Sequence, residues 1–126
     1  LFIILKQFFP SNNISIEKIY GLWVDDNNDY LLQIEFREKN QCEIFFVDKN
    51  KEINLRLNGI FDLDTKKKPT LLSIKKIKSL DYPLYSIINI DKNGYLKIAK
   101  FSNKWRMRSI DFKYDSFTLK KATIIN

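Results

Sequence analysis

Histidine is absent from this chain and cysteine occurs once, at Cys42. The first absence removes the side chain that titrates near neutrality, and with it every histidine-based triad or dyad. The two together leave zinc, haem and iron–sulfur sites without their usual ligands, so no cofactor or structural metal is expected. A lone cysteine closes no intramolecular disulfide, and the fold must hold by packing. Glycine and proline number three each, which argues against low complexity, and no glycine-rich phosphate loop is present. The apolar stretch at residues 1–9 (LFIILKQFF) falls short of the about 20 residues that a bilayer-spanning helix needs. It opens without Met, which reads as a processed or truncated start. We expect it to be a docked arm, helical or extended, covering one end or edge of the fold. The alternative is the tail of a removed leader, and neither reading assigns a compartment.

What the sequence has is apolar content and charge. At 126 residues, 44% of them hydrophobic and 14% aromatic, the chain is long enough for one well-packed domain. Its net charge is +7, unevenly spread. Residues 1–63 carry 7 Lys/Arg against 10 Asp/Glu, net −3, whereas residues 64–126 carry 15 against 5, net +10. If the halves lie on different sides of the fold, the basic side can attract phosphate, anionic lipid headgroups or an acidic protein.

Read in order, the chain is a train of short strands. Ser15 is placed to cap a helical turn over residues 16–20, which delivers the chain to Gly21 and a first strand at Trp23 and Val24. Asp25, Asp26, Asn27, Asn28 and Asp29 then form a turn cluster that needs no catalytic role. From Tyr30 the alternation puts Tyr30, Leu32, Ile34 and Phe36 on one face. Pairing Phe36 with Cys42 keeps Cys42, Ile44 and Phe46 on that face and turns Leu31, Phe45 and Val47 outward together, with Glu35 and Glu43 facing solvent. Residues 53–63 form a long strand interrupted by Gly59, where a bend or a close packing contact is expected. Apolar positions in 70–78 scatter around a helical wheel, which favours a strand. Asn93-Gly94 signals a hairpin between strands at 84–91 and 95–101. A further strand is expected over 105–113, with a bulge near Arg108 or Ser109 because Trp105 and Met107 fall on one phase and Ile110 and Phe112 on the other. Phe117 and Leu119 make the last. The expected fold is all-β, an antiparallel up-and-down barrel of about eight to nine strands at residues 21–126, preceded by an arm and short helix at residues 1–20.

Gly21-Leu22-Trp23 after a short helical turn resembles the opening signature of the lipocalin and wider calycin barrels. Gly59-Ile60-Phe61-Asp62-Leu63-Asp64, followed by Pro69 and an apolar strand, is similar to a pattern in small bacterial lipocalin-like domains. The resemblance runs from Gly21 to Ala122. It implies a Trp23 packed at the closed end of the barrel under a basic residue from the closing strands, a role for Arg106 or Arg108. It also implies a small hydrophobic ligand inside. The chain departs from the family in its shortness, its lack of a disulfide, and Lys120-Lys121 where an Arg is more familiar.

Two functions follow as expectations, both non-enzymatic. In the first, Tyr30, Phe36, Phe61, Tyr85 and Tyr95 line an apolar cup for a small hydrophobic ligand. In the second, the chain is an accessory or structural subunit that docks on a protein or membrane. It would do so through Leu31, Phe45 and Val47 and through Lys66, Lys67, Lys68, Lys75 and Lys76, with an acidic protein or an anionic membrane surface as partner. Specific nucleic-acid binding is not expected, because no aromatic residue lies between Lys66 and Lys78. Nor is catalysis, since no nucleophile with a base, and no carboxylate pair in a cleft, can be placed.

Overall fold

A computed structural model of the chain describes residues 15–25, 31–47, 53–113 and 115–122. A four-residue helix, α1 (Ile16–Ile19), leads into eight strands: β1 (Gly21–Val24), β2 (Leu31–Arg37), β3 (Gln41–Val47), β4 (Ile53–Asp64), β5 (Thr70–Lys75), β6 (Leu84–Ile90), β7 (Leu96–Ala99) and β8 (Ser116–Lys121). Each pairs antiparallel with the next in sequence, and β8 returns to pair with β1, so the sheet is a closed up-and-down barrel. The arm at residues 1–9 and the Asp26–Tyr30 part of the first turn lie outside the described residues.

The two-residue rhythm sets the register as expected at β2 and β3. Phe36 pairs with Cys42, Ile34 with Ile44 and Leu32 with Phe46. That register sends Leu32, Ile34, Phe36, Cys42 and Ile44 into the core, where they meet Phe61, Leu72, Ile74, Ile88, Leu96, Ile98 and Leu119. Each such side chain, fully buried, contributes about 1.5–3 kcal/mol. Cys42 behaves as one of them: burial pushes its thiol up to about 12, leaving it neutral at any ordinary pH.

Ser15 occupies the N-cap of α1 without capping it through its side chain; its hydroxyl donates instead to the carboxylate of Glu17. The β6–β7 hairpin is held by Asp91, whose Oδ1 accepts from the backbone N–H groups of Asn93 and Tyr95 at 2.9 and 3.0 Å. The strand expected over 105–113 is absent. A 3-10 turn, Trp105–Met107, stands in its place, followed by irregular chain to residue 113. The physical reason is the phase change itself: no single strand face can bury both Trp105 and Ile110, and both remain exposed.

Gly59 sits where β4 passes from its pairing with β3 to its pairing with β5. A Cβ there would come within 2.7 Å of Ile74 Cγ2, 2.9 Å of Ile77 Cγ1 and 2.9 Å of the Lys75 carbonyl oxygen. Ile74 and Ile77 are both core residues, and the third contact is backbone, so nothing can move aside freely. Gly59→Ala should therefore destabilise the barrel by about 1–3 kcal/mol through overpacking, read as a lowered urea midpoint with an unchanged slope; an unchanged midpoint would refute the close approach.

Because strand order follows sequence order, β1–β4 form one continuous half of the wall and β5–β8 the other. The basic excess of residues 64–126 thus falls on the β5–β8 half.

Candidate functional site

One end of the barrel is organised around Trp23. Its indole is buried, and Nε1–H donates to the Ile19 carbonyl oxygen at 2.8 Å, tying α1 to the first strand. Lys121 faces Trp23 across the β1–β8 seam, and its Nζ lies 5.7 Å from the indole centroid. Gly21 makes room for this cation: its φ is +124°, and a Cβ would lie 2.8 Å from Lys121 Cε. The covering residue is therefore Lys121, correcting the expectation of Arg106 or Arg108. Arg106 lies over Trp105 at 5.4 Å and Arg108 over Tyr85 at 5.0 Å, both on the segment that replaces the missing strand.

Of the five residues expected to line a cup, two point inward. Phe36 and Phe61 are buried and meet edge to face, ring centroids 4.9 Å apart. Tyr30 lies outside the described residues. Tyr85 is on the outer face of β6, since its neighbours Leu84 and Ser86 are the buried ones, and Arg108 covers it. Tyr95 is exposed at the β6–β7 hairpin. Both tyrosines are thus removed from the lining by strand parity.

On β3, Phe45 lies half-buried on the outer wall with the Arg56 guanidinium 5.0 Å from its ring centroid. Leu31 and Val47 pair opposite one another in the ladder, but their side chains are outside the described residues. Glu43, expected to face solvent, is buried beneath two arginines. Its carboxylate accepts from Arg37 Nη2 at 2.7 Å and forms an ion pair with Arg56, whose Nε lies 3.1 Å away.

The lysine run does not form one patch. Lys76 borders a groove with Arg37, Cys42, Asn58 and Gly59. Lys75 is exposed near the end of β5, and Lys66, also exposed, has its backbone N–H held by Asp64 Oδ1 in the β4–β5 turn. Lys67 and Lys68 border a different groove, of about 420 Å³, whose base is Leu71 and Ile87 and whose far side is Trp105, Arg106, Arg108 and Ile110.

This second groove is the candidate site, and sequence reading missed it. Trp105, Met107 and Ile110 are 64%, 68% and 84% exposed beside it, while Ile87 at its base is 1% exposed. Arg108 is anchored in its wall. Nη2 donates to Ser73 Oγ at 3.0 Å, and Nη1 is buried with no hydrogen-bond partner. Burial lowers the pKa of this guanidinium, against the pull of Tyr85 and Asp64; an arginine nonetheless stays cationic at neutral pH. The wall therefore carries four cations around an apolar rim, one of them with an unused donor. It can attract an anion and give apolar groups a place to rest.

Among the described residues, no three His, Cys, Asp or Glu side chains gather in a way that could hold a metal ion. Comparison with family models, with curated proteins and with solved structures returns no significant match. The fold stands by its own geometry as a closed eight-stranded antiparallel barrel.

Proposed function

We propose that this chain is a non-enzymatic, lipocalin-like barrel that works as an accessory binding module, docking through the outer wall of β5 and β6. The lipocalin-like part rests on the Gly21-Leu22-Trp23 opening, the helical turn tied to the indole, and the cation over it. The docking part rests on one observation: three large apolar side chains stand in water on one short segment, and two of them, Trp105 and Ile110, border the groove with Lys67, Lys68 and Arg106. Large apolar side chains exposed beside a cluster of cations mark a contact surface. The carrier reading draws less support, since Phe36 and Phe61 spend their bulk on each other.

The test is fractionation of extracts from the source cells. In about 0.05 M salt the chain should run with a larger assembly or a particulate fraction, and about 0.5 M salt should release it as screening grows. The doubly substituted chain carrying Trp105→Ala and Ile110→Asp should run free in both. A wild-type chain that runs as a lone monomer at low salt would overturn the docking reading.

A further inference from the structure

We infer that the surface this wall docks on is an anionic lipid bilayer, an inference that rests on the docking reading above. The floor of the groove offers a docked peptide little: Ile87 is 1% exposed, and Leu71 beside it is half-buried. The accessible apolar area is on the tips instead, at Trp105, Met107 and Ile110. Tips that project singly gain little from a flat, rigid protein face, but they enter the headgroup and upper acyl region of a bilayer without a matching cavity. Tryptophan is favoured at that depth because its ring is apolar and its N–H is polar.

The charge around the tips matches the same partner. Lys67, Lys68, Arg106 and Arg108 border the groove, and Lys66 and Lys104 stand exposed next to them in sequence. Anionic headgroups attract such clusters, and apolar insertion combined with that attraction is how peripheral proteins hold to membranes. The apolar opening stretch of this chain is a poor occupant by comparison, since residues 1–14 contain Lys6 and no Asp or Glu to meet the basic rim.

The experiment uses the purified full chain floated with vesicles of phosphatidylcholine alone or with about 30% phosphatidylserine, in about 0.1 M salt, where the screening length is about 10 Å. The wild-type chain should float with the anionic vesicles and bind the neutral ones at least roughly tenfold more weakly. Brominated acyl chains should quench tryptophan emission, and Trp105→Phe should remove that quenching while Trp23 remains. Combined Lys67→Glu and Lys68→Glu, and separately Ile110→Asp, should each reduce flotation at least roughly tenfold; all these positions are exposed, so thermal melting should not change. No flotation with anionic vesicles, or equal flotation by the Ile110→Asp chain, overturns the inference. If vesicle binding fails while extract fractionation still shows a salt-sensitive assembly lost on Trp105→Ala and Ile110→Asp, the partner is a protein and only the lipid assignment falls. If both fail, the docking reading falls with it.

Discussion

Phe61→Ala should lower the stability of this barrel by about 3–5 kcal/mol, the range for deleting a buried aromatic ring. Phe61 is buried in the interior, and its edge-to-face partner Phe36 is 4.9 Å away between centroids; that pairing adds about 0.5–1.5 kcal/mol beyond area alone. Total stabilities of domains are about 5–15 kcal/mol, so the variant should melt roughly 10–20 °C lower if each kcal/mol moves the midpoint by a few degrees. Calorimetry reads the shift. The same variant separates filled from hollow. With the ring gone, a small apolar probe such as benzene should bind and recover part of the lost stability, as it does in engineered dry cavities. If instead the wild-type chain is stabilised by benzene as strongly as the variant, the interior is already open and the ring does not fill it.

The second large effect is at Trp23. Trp23→Ala should also be worth about 3–5 kcal/mol, because it removes the indole from between α1 and the β1–β8 seam. Trp23→Phe divides the effect. It keeps a ring under Lys121, an exposed cation–π contact of about 0.5–1 kcal/mol, but leaves the Ile19 carbonyl without the 2.8 Å donor it has now. A buried acceptor left unpaired costs about 1–3 kcal/mol. The expected order in chemical unfolding is wild type, then Trp23→Phe, then Trp23→Ala. Equal midpoints for Trp23→Phe and wild type would show that the hydrogen bond to α1 carries nothing.

The residues that announced the barrel in advance are those with a single physical reading. Leu32, Ile34 and Phe36 alternate with Gln33 and Glu35, so only one face can be buried, and Phe36 pairing with Cys42 follows. Gly59 interrupts an otherwise unbroken strand and proves to be a point of close approach. Trouble begins where both parities are apolar. Leu71 and Leu72, or Ile87 and Ile88, give no sign of which faces inward. Here Ile87 is buried although it lies on the outer wall, in the groove bordered by Trp105 and Ile110. Size misled the choice of Tyr85 and Tyr95: they are aromatic, but their parity puts them opposite the buried Leu84, Ser86 and Leu96.

The phase change between Met107 and Ile110 was visible and was read as a bulge in a strand; the chain forms no strand there. That outcome moves Arg106 and Arg108 to the outer wall and leaves the indole to Lys121, whose position opposite Trp23 depends on closure between the first and last strands. The groove itself joins Lys67 and Lys68 to Trp105 and Ile110 across a gap in sequence that no local pattern spans. It was the folded wall that brought an aromatic residue beside the lysines.

The order of the strands carries a kinetic corollary. Seven of the eight pairings join neighbours along the chain and can zip as successive hairpins, six across short connections and one across residues 100–115; the eighth joins Trp23 to Lys121 and Val24 to Lys120. The largest single loop-closure entropy falls at that one joint. The ribbon can thus curl before it locks, with the indole and its lysine acting as the clasp that forms late and lets go early.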